Sequence, residues 1–349
     1  LAPILYNLGI IIGIFTFVPL GGIIGLAFGV VLGALLHFLI MFLTANHLGF
    51  APLDFILNLN PIYLKNAAIP SDLRSRLRRV KRIVALSFPR VLAISLTNLT
   101  LLVLIAIAST LAKGSIAVLQ LAQNLYFLPI GIFGVSYAVA VFPRMNRAYI
   151  VRDGEEFFRE LFFGIRSILF WIVPSMILFI VLRAHIVRVT LGAGAFSWED
   201  TRLTAAVLAA LSITMFAGAL STLLIKGFYA LENTWKPFFI NLSSSLFSLI
   251  LAYGLVKVLT SGSVFAGTLA SLFRISDLPR PEVIGLGLGF SAGLLLNILL
   301  LYFSLQRLAE KTFVESQTAT ETFGVKLPAK IQTSKDFPTA SILKIVIAS

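Results

Sequence analysis

Cysteine is absent from the 349-residue chain, and charged side chains account for only 12% of it. Without cysteine, neither a disulfide framework nor a thiolate metal site can form. Soluble domains carry charges on about 25% of their residues, whereas this chain is 58% hydrophobic and has a mean hydropathy of +0.97. The composition excludes an ordinary water-soluble domain and indicates an all-α, polytopic membrane helix bundle.

Acidic residues are also scarce, since the chain has 15 of them against 28 lysines and arginines. They lie outside the apolar runs or at their edges, and the three histidines are scattered. No cluster of metal ligands or catalytic carboxylates is recognisable. We therefore expect no enzyme, no metal site and no cofactor. Gly285, Gly287 and Gly289 lack the strand–turn–helix setting of a nucleotide loop, and we interpret them as packing or flexibility positions in a helix.

Hydropathy predicts eight membrane spans. They run over residues 3–18, 22–43, 83–110, 116–142, 167–182, 203–225, 238–259 and 283–305. The longest polar segment within this series, 44–82, ends in a basic cluster that is predicted to form an amphipathic helix at the lipid headgroups. Charged loops are predicted at 144–166 and 183–202. Because the chain opens inside an apolar run and closes on another, we expect an internal fragment of a longer protein.

The basic residues fall unevenly on alternate sides of these spans. One side receives 20 lysines and arginines and the other receives 7, while Arg90 lies within a span. The positive-inside rule then places the basic loops in the cytoplasm. The net charge of +13 therefore indicates the orientation of the chain in the membrane, and we expect no nucleic acid partner.

Polar side chains inside the spans are the candidate functional residues. Gln120, Gln123 and Asn124 lie at i, i+3 and i+4, and an unpartnered amide in hydrocarbon costs several kcal/mol. This face should therefore meet other helices or water. Arg90, about one turn inside the third span, either extends to the headgroups or faces a cavity where it could bind a phosphate. Asn98 lies two turns deeper.

Further candidates come from the other spans. Asn241, Ser245 and Ser248 form a polar stripe in the seventh span, which indicates either cavity lining or helix–helix hydrogen bonding. Gly21, Gly25, Gly29 and Gly33, followed by His37, predict a close helix contact. Asn7 and Asn297 are lone amides that fit either interpretation. The predicted substrate-binding residues are Arg90, Asn98, Gln120, Gln123, Asn124, Asn7, Asn241 and Lys226.

Four stretches resemble one transporter family: LAPILYNLGIIIG, LAQNLYFLPIGIFGVSYAVAVFPRM, GAFSWEDTRLTAAVLAALSI and IKGFYALENTWKPFF. In order and spacing they are similar to the MviN/MurJ-type lipid II flippases of the multidrug/oligosaccharidyl-lipid/polysaccharide exporter superfamily. By this resemblance, residues 1–43 match the last two helices of an N-terminal lobe and 83–305 a C-terminal lobe of six helices. Residues 44–82 would be a basic cytoplasmic interlobe loop, 306–341 a cytoplasmic polar segment and 342–349 the start of a truncated further helix.

The resemblance implies a function. It implies a monomeric protein of the bacterial cytoplasmic membrane that moves lipid-linked peptidoglycan precursor by alternating access of two lobes. Its partners would be a lipid-linked oligosaccharide diphosphate and membrane lipids. One departure concerns the fourth span, where well-known members show an Asp-Arg pair and a Glu, but this chain has Gln123, Asn124 and Phe127. Ion-pair gating at this helix therefore does not carry over.

Other functions stay open at this point. A flippase for another lipid-linked oligosaccharide or a related exporter would have the same fold, although an antiporter more often shows an acidic residue within the membrane. A membrane-embedded glycosyltransferase would need an acidic metal-binding cluster. A non-transporting scaffold on the same fold would explain why amides replace the charged pair.

Overall fold

The computed structural model describes residues 2–47, 71–192, 194, 196–261, 267, 268, 271–273 and 281–323. Every regular element in these ranges is helical, as predicted. The helices are α1 (Ala2–Thr16), α2 (Val18–Gly21), α3 (Ile23–His47), α4 (Ser71–Ser109), α5 (Ser115–Pro129), α6 (Ser136–Ile150), α7 (Gly154–Val181), α8 (Arg183–Leu191), α9 (Trp198–Ser212), α10 (Met215–Ala230), α11 (Trp235–Thr260) and α12 (Val283–Phe323). A π-helical segment, Ile130–Val135, joins α5 to α6.

The prediction of eight spans was slightly wrong. Six helical segments in the described residues are long and apolar enough to cross a membrane, one of them formed by α5, the π-helical segment and α6 together. A seventh span results if α9 and α10 are counted as one broken span with a bend of 47°. Helix α1 has 15 residues and thus a length of about 22 Å, which is short of the roughly 30 Å hydrocarbon layer. The bend falls at Thr214, whose backbone leaves the helical region.

Two segments predicted as loops are largely helical. Residues 144–166 contain the end of α6 and the start of α7, which begins where the Asp153 carboxylate accepts a hydrogen bond from the backbone N–H of Glu156 at 2.9 Å. Residues 183–202 contain α8 and the start of α9, where Ser197 and Asp200 form a capping box. The basic cluster belongs to α4, and α12 extends into the predicted polar segment. The predictions for residues 48–70 and 324–349 lie outside the described residues.

The chain divides into two compact units, residues 1–79 and 80–349, which we describe separately. In the first unit, Gly22 has a positive φ of 56° in the turn before α3. A Cβ atom on Gly29 would lie 2.8 Å from the Cα of Gly13, and Gly9 faces Gly33 in the same way. The predicted glycine stripe therefore brings the backbones of α1 and α3 together. Gly21 is not part of it, because a Cβ there would meet nothing within 4 Å.

The second unit is built around α9 and α10. All of the α9 residues from 203 to 212, and Met215 at the start of α10, are buried. A helix that is apolar on every side is buried on every side, and α5, α7 and α12 pack around this pair. Small residues allow close approach, since a Cβ on Gly134 would lie 2.9 Å from Ala219 and one on Gly285 2.9 Å from the backbone nitrogen of Val256. Helix α11 packs on the outside of this arrangement, mainly against α12.

Candidate functional site

The second unit contains a cavity of about 460 Å³ between α4, α5, the π-helical segment, α10, α11 and α12. We call it the central cavity. Aromatic and aliphatic side chains make up part of its wall, and each of the helices α4, α10, α11 and α12 adds hydroxyl or amide groups. These polar wall residues are Thr97, Thr100, Ser221, Thr222, Asn241, Ser244, Ser245, Ser248 and Asn297.

Helix α11 contributes the largest number of polar groups to the central cavity. Asn241, Ser245 and Ser248, the predicted polar stripe, all line it, together with Ser244. The opposite face of the same helix is apolar and exposed, as Ile250 shows with an exposed fraction of 72%. The sequence periodicity therefore separated the cavity-lining face of α11 from a face suited to lipid contact.

Two amides and a hydroxyl connect three of the cavity helices. The Asn297 side chain donates from Nδ2 to the Asn241 Oδ1 at 2.8 Å. The Ser221 hydroxyl lies 3.2 Å from the Asn297 Oδ1 and also 2.8 Å from the carbonyl oxygen of Ala217. This chain of hydrogen bonds joins α10, α11 and α12, so the polar stripe both lines the cavity and bonds between helices.

Most of the cavity hydroxyls donate to the backbone of their own helix. Thr97 donates to the Ala93 carbonyl at 3.2 Å, Thr100 to the Leu96 carbonyl at 2.8 Å and Thr222 to the Ala219 carbonyl at 2.7 Å. The hydroxyl hydrogens are thereby occupied, while the oxygen lone pairs remain as acceptors. The wall is consequently suited to a ligand with O–H or N–H donors.

Several of these hydroxyls were not predicted from the sequence. Thr97, Thr100, Ser221, Thr222 and Ser244 were not among the predicted binding residues. The available signal was their helical spacing, because Thr97 and Thr100 lie at i and i+3. Isolated serines and threonines are common in membrane helices, where they bond to the preceding turn, and the signal is therefore weak.

The π-helical segment Ile130–Val135 forms one side of the cavity and was not predicted. It follows directly after Pro129, which has no backbone N–H and displaces the preceding turn. Ile130, Gly131 and Val135 line the cavity, and nothing lies within 4 Å of a Cβ built on Gly131. Such single π-helical turns are frequent at functional sites.

Arg90 lies on the cavity-facing row of α4. It precedes Thr97 by seven residues and is therefore two turns away on the same face, about 10 Å along the axis. Its guanidinium carbon lies 4.5 Å from the ring centroid of Tyr229, which follows the wall residue Ile225 by one turn of α10. The Arg90 Nε is buried and has no hydrogen-bond partner among the described residues. Arg90 thus packs against α10 without lining the central cavity itself.

The amides of α5 do not share one environment. Gln123 is only 6% exposed, and its Nε2 is buried without a partner among the described residues. Gln120 and Asn124 are exposed on the surface of the second unit. None of the three belongs to the wall of the central cavity. Of the three amides on the polar face predicted for this span, Gln123 is buried among other helices and the other two are exposed.

The other predicted binding residues are placed as follows. Asn98 is exposed and does not line the central cavity, although Thr97 beside it does. Lys226 is half-buried, with its Nζ 5.5 Å from the ring centroid of Phe142. In the first unit, Asn7 donates to the Pro3 carbonyl at 3.1 Å. It lines a separate cavity of about 400 Å³ with Tyr6 and His37, whose rings meet edge to face.

Two features of the described residues concern catalysis. The stretch from Gly289 to Gly293 has the pattern GxSxG, which in hydrolases lies in a sharp turn from strand to helix. Here it lies inside α12, where the buried Ser291 hydroxyl donates to the Ala210 carbonyl at 2.8 Å and Gly289 packs against Ala252. The described residues also contain no group of three metal-ligating side chains.

Comparison with known proteins identifies the family. The family model described as lipid II flippase MurJ matches residues 1–327. A probable lipid II flippase MurJ of Borreliella burgdorferi is 28% identical over 249 residues, which are 71% of this chain and 45% of that protein. A probable lipid II flippase MurJ of Bdellovibrio bacteriovorus is 27% identical over 308 residues, 86% of this chain and 54% of that protein. The chain thus spans about half the length of these curated relatives.

A solved structure shows the same fold. It is described as lipid II flippase MurJ in an inward closed conformation, and it superposes with a TM-score of 0.60 at 22% identity. The superposition covers 99% of this chain and 64% of the solved chain. The fold therefore agrees with the family match, which covers nearly the whole sequence. With its apolar helices and its match over residues 1–327, this multi-pass membrane protein belongs to the lipid II flippase MurJ family.

Proposed function

We propose that the protein moves a lipid-linked peptidoglycan precursor, lipid II, across the bacterial cytoplasmic membrane. The central cavity is the observation that carries this proposal. The head group of such a lipid bears sugar hydroxyls and amide N–H groups that cannot cross roughly 30 Å of hydrocarbon without partners. A wall of hydroxyl and amide acceptors within a membrane-spanning bundle supplies such partners.

The size of the central cavity supports binding of part of this head group. Its volume of about 460 Å³ falls within the range of about 300–1,000 Å³ that small-ligand sites occupy. Its wall combines a few polar groups with Tyr126, Phe127 and Phe290, and sugar rings have both polar edges and apolar faces. Transport would follow alternating access of the two lobes expected for the family, with the polyprenyl tail remaining in lipid.

Arg90 is the proposed contact for the diphosphate. A buried guanidinium N–H without a partner costs about 1–3 kcal/mol, and a phosphate oxygen would provide the missing acceptor. The planar guanidinium also matches two phosphate oxygens at once. Stacking on Tyr229 holds the guanidinium in place and reduces the entropy that binding would otherwise cost.

The remaining expectations belong to the same proposal. Asn241 would contact the head group in the central cavity. Gln123, which is buried, and Lys226, which is half-buried, would contact the lipid from positions outside the wall of that cavity. Asn98, Gln120 and Asn124, which are exposed in the second unit, and Asn7 in the first unit would contact the lipid during other stages of transport. The protein would be a monomeric transporter and not an enzyme, with its basic loops in the cytoplasm.

A transport assay with Arg90 variants tests the proposal. The full-length protein is reconstituted in vesicles with labelled lipid II, and its movement between leaflets is followed by accessibility to a membrane-impermeant enzyme. In parallel, the gene is expressed in a bacterium depleted of its own lipid II flippase. We expect Arg90→Ala to abolish both activities and Arg90→Lys to weaken them, because lysine keeps the charge but loses the planar pair of donors.

The matched control is Arg147→Ala, which removes an exposed arginine at the end of α6. This variant should transport at the parent rate. Full activity of well-folded Arg90→Ala protein would remove Arg90 from the proposed site. If the parent protein moved another lipid-linked oligosaccharide but not lipid II, that other lipid would be the cargo.

A further inference from the structure

A second cavity in unit 2 is not explained by the proposed transport path. It has a volume of about 540 Å³ and lies where α7 ends and α8 and α9 begin. Three basic side chains line it, those of Arg183, His185 and Arg202, and none of the described residues in its wall is acidic. We call it the basic cavity. It shares no wall residue with the central cavity.

The position of the basic cavity corresponds to the depth of the lipid headgroups. The membrane-spanning part of α7 ends at Val181, and Val181 itself belongs to the cavity wall. Trp198, at the first position of α9, also lines the cavity and is 59% exposed. Exposed tryptophans are enriched at the boundary between hydrocarbon and headgroups, and membrane phosphates lie at the same depth.

The wall of the basic cavity is amphipathic. Ile180, Ala184 and Phe273 provide apolar surface beside the cations. Arg183 is half-buried, and its Nη2 donates to the Phe273 carbonyl oxygen at 3.5 Å, which ties the guanidinium to the wall. Arg202, also half-buried, lies one turn into α9. Two guanidinium groups beside an apolar surface match a ligand that has a phosphate joined to hydrocarbon.

Two acidic residues, Glu199 and Asp200, flank the basic cavity and are not part of its described wall. Glu199 and Asp200 follow Trp198 in the first turn of α9. The Asp200 carboxylate accepts hydrogen bonds from the Ser197 backbone N–H at 3.2 Å and from the Ser197 hydroxyl at 2.8 Å. It is therefore held at the helix cap. The wall itself contains cationic and apolar groups only, among the residues that the structure describes.

We propose that the basic cavity binds an anionic glycerophospholipid, with the lipid phosphate beside Arg183 and Arg202 and the first part of an acyl chain against Ile180, Ala184 and Phe273. The apolar half of the wall favours a lipid over a free phosphate ion, which would gain nothing from it. The separation from the central cavity favours a resident membrane lipid over the transported one. This proposal does not depend on which lipid the protein moves.

Trp198 offers a local reporter of lipid binding. The chain has three tryptophans, so Trp171→Phe and Trp235→Phe leave Trp198 as the only one in this chain. The full-length protein, with any tryptophans outside these residues also replaced, is placed in phosphatidylcholine nanodiscs that contain increasing fractions of brominated phosphatidylglycerol. Bromine quenches tryptophan fluorescence over short distances. We expect saturable quenching by this lipid and only weak quenching by brominated phosphatidylcholine at the same fractions.

Two sets of variants separate a built site from general charge attraction. Arg183→Gln with Arg202→Gln should weaken the apparent affinity about tenfold or more. The matched control is Arg188→Gln with Lys257→Gln, which removes two cations outside the cavity wall and should change it by no more than about threefold. Ala184→Leu keeps every cation and fills the cavity, and it should also abolish saturation. If the double arginine variant fails to fold, Ala184→Leu still tests whether the lipid binds in the basic cavity.

Several results would overturn the proposal. Equal losses in the two double variants would show surface attraction alone, and unchanged quenching in Ala184→Leu would show that the cavity is not the site. Displacement of the brominated lipid by millimolar inorganic phosphate would indicate a site for free anions. Stronger displacement by a polyprenyl diphosphate than by unlabelled phosphatidylglycerol would assign the cavity to the transported lipid.

Discussion

Asn297 connects three helices of the central cavity, and its replacement tests whether the polar wall also stabilises the bundle. Its Nδ2 donates to the Asn241 Oδ1, and its Oδ1 accepts from Ser221. Asn297→Ala removes both bonds. Hydrogen bonds between membrane helices contribute about 0.6 kcal/mol on average and about 1.7 kcal/mol at most. We therefore expect a loss of about 1.2 kcal/mol in the free energy of unfolding, with about 3.4 kcal/mol as an upper bound.

The single-bond variants should cost less. Asn241→Ala removes one of the two bonds to Asn297, and we expect a loss of about 0.6 kcal/mol. The cost stays small because Asn297, whose amide loses its partner, also lines the cavity, where water can satisfy that amide. The double variant then gives the coupling free energy of the Asn241–Asn297 pair, which should lie between about 0.3 and 1.7 kcal/mol.

Equilibrium unfolding in mixed micelles with increasing mole fractions of SDS measures these free energies. Ser243→Ala is the matched control, because Ser243 is exposed on α11, the helix of Asn241, and its hydroxyl donates to the Ile240 carbonyl within that helix. A coupling energy of zero, with additive losses from the two asparagines, would refute the direct bond. It would mean that each amide interacts separately with water in the cavity.

Two further predictions concern the glycine contact and the buried amide. Gly29→Leu should lower the yield of folded, monodisperse protein severalfold, since a Cβ there lies 2.8 Å from Gly13. Gly21→Leu, where nothing lies within 4 Å, should not, and equal yields in size-exclusion profiles would contradict this packing. Gln123→Leu should leave the unfolding free energy unchanged or raise it by about 1 kcal/mol, because leucine has a similar volume and removes a buried amide nitrogen that has no partner among the described residues. A marked loss of stability would reveal a bonding partner, whereas lost transport with unchanged stability would support the proposed role of Gln123.

Local periodicity predicted the parts of the site that lie on one regular helix. Asn241, Ser245 and Ser248 follow the spacing of an α-helix, and α11 is regular across them, so the pattern placed all three on one wall. The same holds for Gly25, Gly29 and Gly33, which a regular α3 brings onto one face. In both cases the spacing of residues alone determines which side chains share a face.

Tertiary packing decided the parts that the sequence did not predict. Gln120, Gln123 and Asn124 have helical spacing, but the three residues cover an arc wide enough for a neighbouring helix to bury one and leave the other two exposed. The π-helical turn after Pro129 adds a register shift within the same span. Hydropathy reports the apolar content of a segment, not the length or direction of the helix that forms there. It therefore counted the short α1 and the bent pair α9–α10 as complete spans.

In the proposed function, Arg90 would contribute more binding free energy than any single hydroxyl or amide of the cavity wall. Neutral hydrogen bonds contribute about 0.5–1.5 kcal/mol each, whereas bonds to charged groups contribute about 1.5–3 kcal/mol. The described wall of the central cavity has only neutral polar groups, so each contact with a sugar would be weak and quickly broken. Arg90, with a buried donor that lacks a described partner, would hold the diphosphate more strongly. A transporter must release its cargo as well as bind it. Loss of Arg90 should therefore reduce transport more than loss of any one wall hydroxyl, and the opposite order would place the main binding energy in the wall.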